Sequence, residues 1–124
     1  MTIAYWCILA AALLPYLTVA PAKMRRDFDN RAPRAWEERL EGWRARLYWA
    51  HLNGFEAFAP FAAAVIVAHL AQAPQGRVDA LALAFVAARI AYAVCYFADL
   101  ATLRSIVWGI GALCVLGLFL VAAA

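Results

Sequence analysis

The sequence predicts an all-α integral membrane protein, built as a four-helix bundle with up-and-down topology. Hydrophobic residues make up 68% of the 124 residues and charged residues only 15%. Soluble domains are about 45–50% apolar and about 25% charged. The apolar residues fall into four runs of roughly the 20 residues that a helix needs to cross a bilayer. A mean hydropathy of +0.73 also excludes a disordered chain, which needs low hydrophobicity and high net charge.

Most of the charge lies in one segment, residues 23–46. This segment holds eight of the eleven basic residues and five of the eight acidic residues, so it carries the whole net charge of +3. The pI near 9.0 therefore reflects one loop and does not indicate nucleic-acid binding. Because Lys and Arg concentrate in cytoplasmic loops, we expect the loop at 23–45 to be cytoplasmic and both termini to lie outside.

The balance between the two basic residue types bears on the source of the protein. The chain has ten arginines but one lysine, and alanine is abundant. This composition favours a GC-rich bacterial genome. We therefore expect a multi-pass protein of the bacterial inner (cytoplasmic) membrane.

The first predicted helix covers about residues 2–22, which carry no charged side chain. Membrane helices tolerate its two prolines, Pro15 and Pro21. A cleaved signal peptide is the alternative, since Ala20-Pro21-Ala22 faintly resembles a cleavage site. A signal peptide, however, has its basic residues before the apolar run, whereas here the basic cluster follows it.

The loop at 23–45 is expected to contain a short helix at the membrane surface. Asp29-Asn30 precedes Pro33, and proline is favoured in the first turn of a helix. Trp36 and Trp43 lie in the same basic stretch, and indole rings are common at the level of the lipid headgroups.

The other three membrane helices are predicted at about residues 46–73, 78–103 and 105–124. At a rise of 1.5 Å per residue the second helix is roughly 40 Å long, so its first turns should project beyond the bilayer core. Ala73-Pro74-Gln75-Gly76 predicts a turn. The third and fourth helices have almost no break between them, so we expect a tight turn near residues 102–105.

Two charged residues fall near the middle of predicted membrane helices. Glu56 lies ten residues after Arg46, and Arg89 lies at a similar depth on the next helix, about 15 Å from the end. A charge at this depth costs about 2.5–3.5 kcal/mol, so we expect Glu56 and Arg89 to pair. The pair would either fix only the helix register or line a polar cavity for a charged ligand.

The spacing of the polar residues predicts one polar stripe on each of these two helices. Arg46, Asn53 and Glu56 share a helix face, and so do Arg89, Tyr92 and Tyr96, because helical positions three, four or seven apart lie close in angle. In lipid, two such stripes face each other or a partner subunit.

The remaining candidate ligands are better explained by packing. Cys7, Cys95 and Cys114 are far apart in apolar runs, as expected of buried thiols. His51 and His69 lie off the polar stripe, and neither has a carboxylate or second histidine three or four residues away, so no metal site is predicted. Both are expected to pack against neighbouring helices.

Two motifs resemble a known family. The run from Arg46 to Phe61, RLYWAHLNGFEAFAPF, is similar to the second-helix motif of the membrane-associated proteins in eicosanoid and glutathione metabolism (MAPEG). In that motif an Asn follows the Arg by seven residues and a Glu by ten. The run from Arg89 to Arg104 is similar to the third-helix signature Arg-x-x-Tyr-x-x-x-Tyr. With the basic first loop, the resemblance spans residues 1–124 as one domain, of the bacterial branch.

The resemblance implies a homotrimer in the lipid bilayer, with glutathione as a co-substrate bound between subunits. By motif position the ligand-binding residues would be Arg46, Asn53, Glu56, Arg89, Tyr92 and Tyr96. Arg104 would stabilise the glutathione thiolate, since a nearby guanidinium lowers a thiol pKa, and Ser105 would donate a hydrogen bond. A lipophilic substrate would reach this site through the bilayer.

Three functions remain open from the sequence. The first is a glutathione-dependent transferase or peroxidase acting on lipophilic electrophiles. The second is a non-catalytic trimeric scaffold, a lipid-binding module or a subunit of a membrane complex. The third is a small transporter or channel, because a charged pair within the membrane also suits an ion path. The chain departs from the glutathione-binding pattern at Trp49, where characterised members carry a basic residue, and at Ala57, where some carry Tyr.

Overall fold

The computed structural model describes all residues 1–124 and contains five α-helices. They are α1 (Ile3–Lys23), α2 (Pro33–Glu37), α3 (Gly42–Leu70), α4 (Gln75–Phe97) and α5 (Ala101–Ala123). The most apolar 18-residue stretch of each long helix has a mean hydropathy of 1.3 to 2.5, and all four helices are long enough to cross a membrane. They run alternately up and down, which confirms the predicted all-α membrane bundle.

The four long helices form a ring in the order α1, α3, α5, α4. Extensive packing joins α1 to α3 and α4 to α5, while the α1–α4 and α3–α5 edges are looser. Helices α3 and α4 also touch across the middle of the ring. The end that carries residues 24–41 is called the loop end below. The ring therefore has two tight edges and two loose edges that face opposite sides.

The outer surface of the bundle is apolar. Leu17 is 68% exposed, Leu70 is 75% exposed and Leu113 is 66% exposed. A soluble protein rarely leaves a continuous surface of this kind uncovered. Lipid chains are the solvent that suits it, in agreement with the composition.

Small residues allow the helices to approach closely in the core. Ala64, Ala68 and Ala82 are fully buried. In the same core, Phe61 of α3 and Phe85 of α4 stack with ring centroids 3.9 Å apart and an interplanar angle of 8°. In a membrane the hydrophobic effect does not drive helices together, so association depends on close van der Waals packing. Small side chains at helix contacts are the usual means of achieving it.

Several helix ends differ from the prediction. Helix α3 begins at Gly42, not at 46, and ends at Leu70. Helix α4 ends at Phe97, not at 103, so the turn to α5 lies at residues 98–100 and Arg104 and Ser105 belong to the first turns of α5. Asp99 has a φ of +60°, and the N–H of Leu100 donates to the carbonyl of Cys95 over 2.9 Å. This Schellman pattern satisfies the end of α4.

The loop end folds against α1 and α3. Helix α2 begins at Pro33 as predicted. Trp36 was expected at the lipid headgroups, but it is 5% exposed, with its ring edge-on to that of Phe28 at 5.0 Å. The buried carboxylate of Glu37 pairs with the Lys23 ammonium at 2.8 Å. This ion pair ties α2 to the end of α1.

Gly54 provides a test of the tight α1–α3 edge. A Cβ atom at Gly54 would lie 2.8 Å from Cγ of Pro15, so Gly54→Ala overpacks the contact, which typically costs about 1–3 kcal/mol. We expect a lower melting temperature in detergent. Gly109→Ala is the matched control, because its Cβ would meet nothing within 4 Å. Pro15→Ala should rescue Gly54→Ala, and equal melting of the two glycine variants would contradict the contact.

Candidate functional site

Three polar side chains form a continuous hydrogen-bonded chain between α3 and α4. Nη2 of Arg89 donates to Oδ1 of Asn53 over 2.8 Å. Nδ2 of Asn53 donates to Oε2 of Glu56 over 3.1 Å. The expected direct ion pair of Glu56 with Arg89 is therefore wrong. Asn53 lies one turn before Glu56 on the same face, and its amide offers both an acceptor and a donor, so it joins the two charges.

The chain differs in burial from one end to the other. Arg89 is 6% exposed, whereas Glu56 is exposed on the outer surface of α3. Pro60, one turn further on, has no N–H to donate to the backbone carbonyl of Glu56. The Glu56 end therefore presents several free acceptor oxygens at a depth where lipid offers no donor.

A groove of about 310 Å³ opens beside this chain, on the loose α3–α5 edge. Volumes of this size are at the lower end of those that hold small molecules. The α3 side supplies the polar end and α5 supplies an apolar wall. The lining residues are Asn53, Glu56, Ala57, Pro60, Phe85, Arg89, Trp108, Gly111, Ala112 and Val115.

The wall from α5 was not predicted from the sequence. Trp108, Gly111 and Ala112 lie in a run without charged residues. The candidate site was predicted from polar stripes, and this run has none. A signal was present in the small residues between Gly109 and Ala112, since small residues mark close helix approach in membranes. A Cβ at Gly111 would lie 3.8 Å from the Phe85 ring, which shows how near α5 and α4 come.

A second row of groups continues from Arg89 towards the loop end. The Arg89 guanidinium lies 4.2 Å from the centre of the Tyr92 ring. The rings of Tyr92 and Tyr96 meet edge to face at 5.5 Å. The Arg104 guanidinium then stacks on Tyr96 at 4.3 Å. Stacking of a cation on a ring stabilises each such contact by about 0.5–2 kcal/mol. With Asn53 and Glu56, the row connects six of the eight candidate residues.

Arg46 and Ser105 are placed differently. Nη2 of Arg46 donates to the carbonyl of Phe97 over 3.2 Å. This carbonyl is at the C-terminal end of α4, where a cation interacts favourably with the helix dipole. The Ser105 hydroxyl donates to the carbonyl of Ala101 over 3.2 Å within its own helix. Neither side chain touches the chain of Arg89, Asn53 and Glu56.

The two histidines make packing contacts, as predicted. Nδ1 of His51 donates to the carbonyl of Pro15 over 2.7 Å, because a carbonyl can only accept. The ring of His69 lies 4.7 Å from that of Tyr5. Both contacts join α3 to α1, the tight edge opposite α4 and α5.

The bundle is thus a multi-pass membrane protein with a polar groove at the middle of its span. A comparison with models of known families matches the MAPEG family over residues 3–124. The chain therefore belongs to the MAPEG family. Comparisons with curated proteins and with solved structures gave no match.

The hydrogen-bonded chain predicts an order of stability among variants. Arg89→Leu leaves Oδ1 of Asn53 without its donor in a buried place, and losing a hydrogen bond to a charged group costs about 1.5–3 kcal/mol. We expect Arg89→Leu to unfold at lower denaturant concentration in micelles. Adding Asn53→Leu removes the orphaned acceptor and should recover part of the loss.

Arg77→Leu is the control for that series, because Arg77 is exposed at the opposite end of α4 and makes no contact with the chain. It should change stability little. If Arg89→Leu proved as stable as Arg77→Leu, the bond to Asn53 would have no energetic role.

Proposed function

We propose that the protein is a homotrimeric, glutathione-dependent transferase or peroxidase that acts on lipophilic electrophiles. The observation that carries this proposal is the groove on the α3–α5 edge, where the exposed carboxylate of Glu56 lies beside Asn53 and Arg89 within an apolar surface. The proposed orientation has the loop end in the cytoplasm, because the basic residues cluster there.

A second copy of the chain is the proposed cover for the groove. A carboxylate facing lipid is costly at this depth, and polar residues of membrane helices face a bundle interior or a partner. The loose α3–α5 edge leaves room for a helix from a neighbour. A closed ring of copies would bring three such edges into contact and remove each Glu56 from lipid.

The charges of glutathione suit the groups that line this edge. Glutathione has one ammonium group, two carboxylates and a thiol. The carboxylate of Glu56 and its free backbone carbonyl are acceptors for the ammonium. Arginine forks suit carboxylates. Tyr92 and Tyr96 lie between the groove and Arg104, so a peptide that extended along them would bring its thiol towards Arg104.

The proposed chemistry needs the thiol as a thiolate. A neighbouring guanidinium lowers the pKa of a thiol, and Arg104 would supply that charge. In a transfer, the thiolate sulfur forms a bond to the electrophilic carbon while the leaving group departs with its electron pair. In a peroxidase reaction, the sulfur attacks a peroxide oxygen, the O–O bond breaks, and the alkoxide leaves and is protonated to the alcohol. The thiol of a second glutathione then attacks the sulfenic acid, which gives the disulfide and releases water. Ser105 would have to leave Ala101 to donate in either case.

Replacing Arg104 tests the catalytic part of the proposal. We expect Arg104→Ala to reduce conjugation of glutathione to a model electrophile by roughly tenfold to a hundredfold, the value of a charge-assisted hydrogen bond of about 1.5–3 kcal/mol. The loss should shrink as the pH rises, because the thiol then ionises without help. Rate against pH in detergent measures both effects.

Arg77→Ala serves as the control, since it removes an arginine from the opposite end of the bundle. Equal rates for Arg104→Ala and Arg77→Ala would contradict the role of Arg104. A protein that bound no glutathione at millimolar concentration, yet remained an intact oligomer, would support the scaffold function instead.

Filling the groove tests where the ligand binds. Ala112→Trp places a large ring in the groove and should abolish glutathione binding measured by calorimetry. Ala87→Trp makes the same change at an exposed position of α4 outside the groove and should bind normally. Size-exclusion chromatography with light scattering on both variants separates a loss of binding from a loss of assembly. Normal binding by Ala112→Trp would place the ligand elsewhere.

A further inference from the structure

The loop end contains a second polar cavity that the proposed function does not use. It measures about 510 Å³ and lies among α2, the start of α3 and the segment that follows α1. Three arginines and two carboxylates dominate its lining. The lining residues are Arg25, Asp27, Trp36, Arg39, Leu40, Glu41 and Arg44.

Only some of the charged side chains in this cavity have a partner within the protein. Arg25 and Asp27 pair with each other, with Nε of the arginine 3.0 Å from the carboxylate. Arg39 and Arg44 make no ion pair or side-chain hydrogen bond with the protein, and Nε of Arg44 is buried without a partner. Glu41 also lacks a partner. The two free arginines and one free carboxylate leave the cavity with one unbalanced positive charge.

An apolar groove lies next to this cavity, on the loose α1–α4 edge. It measures about 460 Å³ and is lined by Leu17, Thr18, Pro21, Trp43, Leu47, Ala93, Val94 and Phe97. Their walls touch at two consecutive residues, because the guanidinium of Arg44, which lines the polar cavity, stacks at 4.3 Å on the ring of Trp43, which lines the groove. The groove is on the side of the bundle opposite the α3–α5 edge.

We propose that the two spaces together bind one phospholipid whose headgroup carries a net charge of −1. The phosphate lies with Arg39 and Arg44, whose guanidinium forks suit phosphate oxygens. One acyl chain lies in the groove between α1 and α4. Trp43 marks the boundary between the two, as indole rings do at the headgroup level of a bilayer.

The charge balance selects the headgroup class. An anionic headgroup such as phosphatidylglycerol neutralises the single unbalanced positive charge. A zwitterionic headgroup such as phosphatidylethanolamine brings a phosphate and an ammonium, so it leaves that charge unbalanced. Glu41 accordingly works against the anionic lipid, and its removal is expected to strengthen binding.

Native mass spectrometry of the full chain in detergent measures this directly, with phosphatidylglycerol, phosphatidylethanolamine or phosphatidylcholine added in turn. We expect preferential binding of phosphatidylglycerol. Arg39→Gln and Arg44→Gln should each weaken it by roughly fivefold, the effect of one basic residue near an anionic surface, and Glu41→Gln should strengthen it by a similar factor. Arg26→Gln removes the same charge from a loop position outside the cavity and should leave binding unchanged.

A second pair of variants tests the groove. Val94→Trp fills it and should reduce the binding of phosphatidylglycerol. Leu83→Trp makes a similar change at another exposed position of α4 and should not. Binding of inorganic phosphate in place of the lipid, unaffected by Val94→Trp, would overturn the proposal in favour of a free-anion site. Equal binding of the three lipids, or equal losses in Arg26→Gln and Arg44→Gln, would also overturn it.

Discussion

The hydrogen-bonded chain of Arg89, Asn53 and Glu56 is the constraint on which the candidate site depends. Hydrocarbon supplies no hydrogen-bond partner, so each buried polar group must find one within the protein. Arg89 is buried and is bonded to Asn53. Glu56 receives only one bond from Asn53 and stays exposed. The interior end is therefore satisfied, while the outer end is incomplete without a further group.

The packing of the bundle explains why both membrane-level grooves lie at its edges. Buried alanines and the stacked rings of Phe61 and Phe85 fill the diagonal between α3 and α4, so no ligand-sized space is left there. The looser edges each carry a groove, one at α3–α5 and one at α1–α4. Because these edges face opposite sides, a partner on one leaves the other open to lipid. The proposed assembly at one edge and the proposed lipid binding at the other therefore do not compete for the same surface.

The sequence predicted the features that depend on hydropathy and charge, and missed those that depend on side-chain geometry. The four long helices, their alternating direction and the short helix at Pro33 follow from apolar runs and a proline signal. The end of α4 does not follow from these signals, because Asp99 adopts the left-handed conformation that glycine usually marks. Periodicity correctly placed Asn53 and Glu56 on one face. Periodicity could not show that the Asn53 amide lies between the charges of Arg89 and Glu56, because that depends on side-chain rotamers and on the distance between α3 and α4.

The position of Trp49 bears on how a peptide ligand would be held. Its ring lies 6.2 Å from that of Tyr96, beside the row that leads to Arg104, and it brings no charge there. Under the proposed function, few cationic side chains are then available near this row to bind the carboxylates of glutathione. Arg89 is already bonded to Asn53, and Arg104 is assigned to the thiol. One N–H of Arg46 donates to the Phe97 carbonyl, but its buried Nε has no partner. A ligand carboxylate held within one copy therefore falls to Arg46. If an arginine of a second copy held it instead, ligand binding and assembly would be coupled.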